Sequence, residues 1–214
     1  MLKVWGRRNS LNVQKVMWLV GELGLEHEHI LAGGAYGGLD TPEYRARNPW
    51  GKIPAIEDDG VPVWESHAIL RHLAERFGGP RFWPDVAARA RITPWMDWSL
   101  SAWEPNFLGG LFWGFYRMPE PQRDLAAIKQ AEQACAERME FVDKILAGRP
   151  YLAGEELSLA DFPLGSCMFR YFTMGVATPE VPNVRAWYER MKSRPAYQTH
   201  VMVPFEDMKG RLSF

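Results

Sequence analysis

The sequence predicts an α+β N-terminal domain over residues 1–79 and an all-α C-terminal domain over residues 85–214. Three observations carry this reading. Short apolar runs of strand character occur only in the first part of the chain. Gly78-Gly79-Pro80, with Pro84 close behind, is the clearest break in the sequence. Beyond Asp85, apolar residues recur only at helical intervals.

Each element follows from its own residues. Leu2 to Trp5 reads as a strand, and Val13, Val16, Met17, Val20 and Leu23 then repeat at helical spacing up to Gly24. His27 to Leu31 reads as a second strand. Gly33, Gly34, Gly37 and Gly38 make the following segment a loop, which leads into a short helix. Ala55 to Glu57, Asp58-Asp59-Gly60 and Val61 to Trp64 read as a hairpin. Ser66 is a good N-cap residue for a helix whose buried face carries Ala68, Ile69, Leu70, Leu73 and Phe77. The order βαβ, loop, ββα resembles a thioredoxin-like fold. In the second part, Leu125, Ile128, Cys135, Met139, Val142 and Leu146 sit near heptad spacing and predict a long helix ending before Gly148. Val184, Trp187, Tyr188 and Met191 mark another helix, closed by Arg194-Pro195. Ser158-Leu159-Ala160-Asp161 predicts a helix start, with Ser158 as cap and Asp161 reaching back to it.

Composition narrows the function classes. The formal net charge of -1, without a long run of one sign, gives no reason to expect a nucleic-acid partner or an anionic membrane surface. No apolar stretch approaches membrane-spanning length, and the N-terminus enters a strand pattern without an apolar signal segment, so a cytoplasmic location is expected. Cys135 and Cys167 fall inside helical patterns and read as buried free thiols. His27 with His29, and His67 with His72, lack metal-ligand spacing backed by other ligands, so no metal is expected.

The richest stretch is Asn48-Pro49-Trp50-Gly51-Lys52-Ile53-Pro54, followed by Glu65-Ser66 at the head of an apolar helix. Pro54 has no N–H and can sit after a cis bond at low cost, which would turn the chain just before a strand. Ile53 would then present its own N–H and C=O like an unpaired strand edge. The first amides of the helix after Glu65 have no internal partners and favour a ligand carboxylate, while Glu65 suits an ammonium. This combination is a site for a small zwitterion.

These residues, with Ala55-Ile56, Ala68-Ile69-Leu70 and Leu73-Ala74, resemble the glutathione-binding half of the soluble glutathione transferases. The Ser158-x-x-Asp161 box is similar to a structural box of the same family. The resemblance implies that the backbone of Ile53, before a cis Pro54, pairs with the cysteinyl part of glutathione. It implies that Glu65 and Ser66 hold the γ-glutamyl group and that Lys52 meets the glycyl carboxylate. It further implies glutathione as cosubstrate with no permanently bound cofactor, a small hydrophobic electrophile as second substrate, a detoxification role and a homodimer.

Such an enzyme must convert the thiol to a thiolate, which calls for a donor beside the sulfur at the start of the first helix. Ser10 aligns with the active serine of theta-like transferases and is the first candidate. Asn12 is the second, since Ser10-x-Asn12 also resembles the Thr-Pro-Asn of bacterial nu-like enzymes. Arg8, Trp103, Phe107 and Tyr116 are the candidate walls of the electrophile pocket, most aromatics of that region being expected as core. The same scaffold would also accommodate glutathione-dependent peroxide or disulfide reduction. A noncatalytic binder of hydrophobic ligands or another protein is the alternative from a different class.

Overall fold

The computed structural model describes residues 1–213. The chain divides into two compact units, Met1–Asp85 together with Pro195–Val203, and Val86–Arg194 together with the residues from Pro204 on.

The first unit is built on a four-stranded sheet of order β2-β1-β3-β4. Strand β1 (Leu2–Trp5) runs parallel to β2 (His27–Ile30), with helix α1 (Leu11–Glu22) as the crossover. Strand β3 (Ala55–Asp58) is antiparallel to both β1 and β4 (Val61–Trp64). This is the thioredoxin-like arrangement. The β3–β4 turn is two residues long because Asp59 and Gly60 both take positive φ, 48° and 85°, matching the twist of a tight hairpin. Helix α1 has Val13, Val16, Trp18, Leu19 and Val20 fully buried, so it is packed on more than one side. Helix α2 (Pro42–Arg47) is capped by Thr41, whose hydroxyl accepts from the Tyr44 amide.

Helix α3 (Ser66–Phe77) begins where the sequence places it, but the cap differs. Glu65 occupies the cap position with φ of 68°, and Ser66 is the first helical residue. The left-handed backbone at Glu65 lets β4 turn directly into the helix, so Ser66 faces inward instead of capping. Ile69, Leu70 and Leu73 are buried as expected, whereas Ala68 and Phe77 are exposed. A short turn, α4 (Gly79–Phe82), follows.

Among its described residues, the regular structure of the second unit is helical, apart from a single bridge between Tyr151 and Gly154. Helix α5 (Val86–Trp98) continues into Ser99–Trp103 and Pro105–Arg117, which wind with the wider π repeat. Helix α6 (Leu125–Leu146) buries Ile128, Cys135, Met139, Val142 and Leu146 along the expected seam, while Leu125, in the first turn, is exposed. Helices α7 (Asp161–Thr173) and α8 (Pro182–Lys192) complete the unit, with Val184, Trp187, Tyr188 and Met191 buried. Both cysteines are buried free thiols, and burial pushes Cys135 up to about 12.

Helix α9 (Pro195–His200) groups with the first unit, away from the helical part to which the sequence pattern assigns it. Its Tyr197 meets Trp18 of α1 edge-on, with ring centroids 4.8 Å apart. Gly21 permits this approach, since a Cβ there would come within 2.9 Å of the Ala196 methyl.

Candidate functional site

In the first unit, Asn12, Asn48, Trp50, Lys52, Ile53, Pro54, Glu65 and Ser66 line one cleft of about 170 Å³. The loop that forms its floor is held by Asn48, which is 2% exposed. Its Nδ2 donates to the Lys52 carbonyl at 2.7 Å and its Oδ1 accepts from the Trp50 amide at 3.0 Å. The Tyr44 hydroxyl donates to the same Lys52 carbonyl at 2.6 Å, and burial pushes that phenol up to about 12, keeping it a donor. The Asn-Pro motif is therefore the clamp that fixes the chain entering the Ile53-Pro54 bend.

The Ile53–Pro54 bond is cis. The Ile53 side chain packs against the small cluster of Trp5, Ala32, Tyr44 and Ala55, so its backbone is left toward the cleft. Among the described residues, neither its N–H nor its C=O enters a hydrogen bond. They form a donor–acceptor pair of the kind an extended peptide can complete. Two opposite charges flank that pair, the Glu65 carboxylate and the Lys52 ammonium. Both side chains are exposed, and no other side chain among the described residues neutralises either of them.

Ser10 and Asn12 are treated differently by the fold. Ser10 is the N-cap residue of α1 by position, is 9% exposed, makes no side-chain cap bond and is absent from the cleft lining. Asn12, two residues on, lines the cleft. Its Oδ1 accepts from the Lys15 ammonium at 2.8 Å and faces the Ser66 hydroxyl at 3.5 Å. With donors on the oxygen, Nδ2 is the end of the carboxamide able to donate to a ligand.

Lys15 is the residue that sequence reading missed. It is fully buried, and its ammonium also lies 3.4 Å from Nε2 of His67, itself 5% exposed. The available signal was a lysine inside the apolar run Val13 to Val20, three residues after Asn12 on the same helical face. A lysine there needs polar partners, because burying a lone ammonium is prohibitive.

The four candidates for the electrophile pocket divide between the two units, Arg8 in the first and the three aromatic residues in the second. Trp103 and Phe107 are fully buried within the second unit, stacked at 5.2 Å, with Tyr171 edge-on to both. Tyr116 is 5% exposed and packs between Phe112 and Phe205. These rings are core, since burial of such large apolar area outweighs any accessible role. Arg8 is exposed and lines a different cavity, formed wholly by first-unit residues.

The family model described as Glutathione S-transferase, N-terminal domain, matches residues 1–75, and the one described as Glutathione S-transferase, C-terminal domain, matches residues 106–195. The chain belongs to the glutathione S-transferase family. Glutathione S-transferase GstB of Escherichia coli (strain K12) is 36% identical over 207 residues, covering 95% of this chain and 99% of that protein. Glutathione S-transferase 3 of Zea mays is 29% identical over 94% of this chain and 93% of its own length. Among solved structures, the theta class glutathione S-transferase of the citrus canker pathogen Xanthomonas axonopodis pv. citri, with glutathione bound, aligns with a TM-score of 0.90. It is 43% identical and covers 95% of this chain and 98% of that one. Like other glutathione S-transferases, the chain joins a thioredoxin-like unit to a helical one, and among its described residues no helix is long and apolar enough to cross a membrane.

Proposed function

We propose that the protein is a glutathione transferase that ionises the glutathione thiol in the cleft of its N-terminal domain, taken as residues 1–79, and adds the thiolate to a small hydrophobic electrophile. The observation that carries this is the convergence on one cleft of an unbonded Ile53 N–H and C=O, a carboxylate, an ammonium and an oriented carboxamide. Glutathione is a tripeptide with a zwitterionic γ-glutamyl end and a carboxylate at the other. Its cysteinyl backbone completes Ile53, its ammonium meets Glu65, its α-carboxylate meets Ser66 and the start of α3, and its glycyl carboxylate meets Lys52.

For the sulfur, the geometry favours Asn12 over Ser10. The Asn12 Nδ2 donates to the thiolate, and Lys15 holds the carboxamide in that sense while placing a buried positive charge behind it. The start of α1 adds its dipole. Together these stabilise the ionised form, and the remaining catalysis is positioning of two reactants. Location of Asn12 in the cleft also keeps glutathione-dependent peroxide or disulfide reduction as a second reading, because the nu-like pattern that Asn12 resembles accommodates it. A cytoplasmic homodimer with a detoxification role completes the proposal, and light scattering at micromolar concentration checks the dimer.

Turnover of a chloronitrobenzene and of an organic hydroperoxide, measured side by side with glutathione, is the deciding experiment. Conjugation dominating supports the transferase, peroxide turnover dominating supports the second reading, and neither with intact glutathione binding points to a noncatalytic binder.

A further inference from the structure

Away from the glutathione cleft, and sharing no lining residue with it, a cavity of about 150 Å³ is walled by Arg8, Met17, His27, His29, Thr199, His200 and Val203. Its basic groups come from three separate segments, the β1–α1 turn, strand β2 and helix α9, all within the first unit. His27 and His29 share one face of β2 because strand side chains alternate. Each commits one ring nitrogen to the backbone: His27 Nδ1 donates to the Leu25 carbonyl and His29 Nε2 to the Gly6 carbonyl, both at 2.9 Å. Their other nitrogens, and both nitrogens of His200, carry no hydrogen bond among the described residues.

The ionisable groups that act on these rings are all basic. His29 feels Arg8 and His27, and His200 feels His27, His29 and Arg8. Among the described residues, no carboxylate acts with them. Glu28 lies on the opposite face of β2, and the Glu22 carboxylate of α1 accepts from the Trp18 indole. Among the described residues, Arg8 itself has neither an ion pair nor a hydrogen bond. Burial first, with the Arg8 guanidinium and the neighbouring imidazoles behind it, holds His29 below the ordinary histidine value and pushes His200 down to about 4. Four basic side chains gathered around one cavity without a counter-charge is an arrangement that an anion would complete. A divalent metal is the other ligand that histidines attract, but among the described residues no group of three potential ligands has the geometry to hold one.

We infer that this cavity is a binding site for a tetrahedral oxyanion, a phosphate group above all, held by the Arg8 guanidinium and the imidazoles of His27, His29 and His200. Binding is coupled to proton uptake. An incoming dianion favours the charged imidazolium, so His29 and His200, which the empty cavity holds in the neutral form, gain a second N–H donor on binding. At about 150 Å³ the cavity is large enough for a phosphate group, and the exposed Arg8 and Thr199 in its wall leave it open to the remainder of a phosphate monoester.

The test is calorimetric titration of the full chain with inorganic phosphate at constant ionic strength in chloride, in buffers of different ionisation enthalpy. The expected result is saturable binding with net proton uptake at about pH 8, where free phosphate is already the dianion, and an affinity per dianion at least about tenfold tighter at about pH 6 than at about pH 8. Arg8→Gln and His200→Gln should each weaken phosphate at least about tenfold by removing a charged donor. His200→Gln should keep its thermal midpoint in chloride and its affinity for glutathione. His27→Gln provides the same test if His200→Gln does not fold. Phenyl phosphate is titrated in parallel: tighter binding than inorganic phosphate assigns the site to a phosphate monoester, weaker binding assigns it to the free ion, and both support the inference. Phosphate binding no tighter than chloride, an affinity per dianion flat with pH, or folded variants that bind like the wild type would each overturn it.

Discussion

Replacing Asp161 with alanine should destabilise the second unit by far more than loss of a helix cap. The sequence pattern alone assigns Asp161 to a capping box, a device worth about 0.5–2 kcal/mol. In the structure the carboxylate is fully buried and accepts four hydrogen bonds. Oδ1 takes the Leu152 amide at 3.0 Å and the Trp187 indole at 2.9 Å, and Oδ2 takes the Ser158 amide at 2.9 Å and its hydroxyl at 3.3 Å. The Ser158 hydroxyl can turn elsewhere, but the two amides and the indole would be left as buried donors without an acceptor. At about 1–3 kcal/mol for each donor, discounted because the site can relax, the deficit at neutral pH comes to about 3–5 kcal/mol.

The same residue predicts a pH signature. Burial, opposed by the four hydrogen bonds, lifts the Asp161 carboxyl from 3.8 to about 6. The folded state therefore holds the proton more tightly than the unfolded chain. This contribution to stability is fully present below about pH 4 and is lost as the pH rises through about 6, on the order of 3 kcal/mol across the window. Alanine has no such term, so the deficit of Asp161→Ala should be larger at about pH 4.5 than at about pH 7.5. Urea unfolding at both pH values, with turnover normalised to folded protein, is the assay. A neutral-pH deficit under about 1 kcal/mol would show that the bonds contribute little net stability. A deficit that grows with pH would show that the hydrogen bonds outweigh burial and that the sign argued here is wrong.

Three further outcomes follow from the sites. Asn12→Ala and Lys15→Met should each raise the pKa of bound glutathione's thiol, read from thiolate absorbance against pH, while Ser10→Ala should leave it unchanged; a shift confined to Ser10→Ala would return the role to that hydroxyl. Glu65→Ala should weaken glutathione by about 1–3 kcal/mol in calorimetry, the usual size of a charge-assisted hydrogen bond, and unchanged affinity would remove Glu65 from the site. His200 is held at about 4, below its ordinary 6.5, so its share of stability is present above about pH 6.5 and lost as the pH falls through about 4. His200→Gln in chloride should therefore unfold less steeply with acid than the wild type, and an identical acid profile would contradict the depressed value.

Much of this protein was legible in the sequence because the deciding chemistry is local. A proline after Ile53, glycine beside Asp59, the alternation of short strands and the helical spacing of α6 and α8 each act within a few residues. They specify elements, their order and the bend that exposes the Ile53 backbone. Family resemblance rests on that same local punctuation. What the sequence by itself did not determine is which side chains share a space. Ser10 and Asn12 stand two positions apart, yet only Asn12 lines the cleft, because the turn of α1 sends successive side chains in different directions. Lys15 becomes a partner of His67, and Ser66 a neighbour of Asn12, only when α1 and α3 pack together. Trp103, Phe107 and Tyr116 look equally suited to a pocket or a core, and only packing against Tyr171 or Phe205 consigns them to the core. Asp161 reads as a cap, but Leu152 and Trp187 make it a buried hub. The histidines of β2 meet His200 because α9 docks on α1 through Gly21, a contact no local pattern encodes. Periodicity and turn chemistry are short-range constraints on the backbone, whereas burial, charge and hydrogen bonding depend on neighbours brought together from distant parts of the chain.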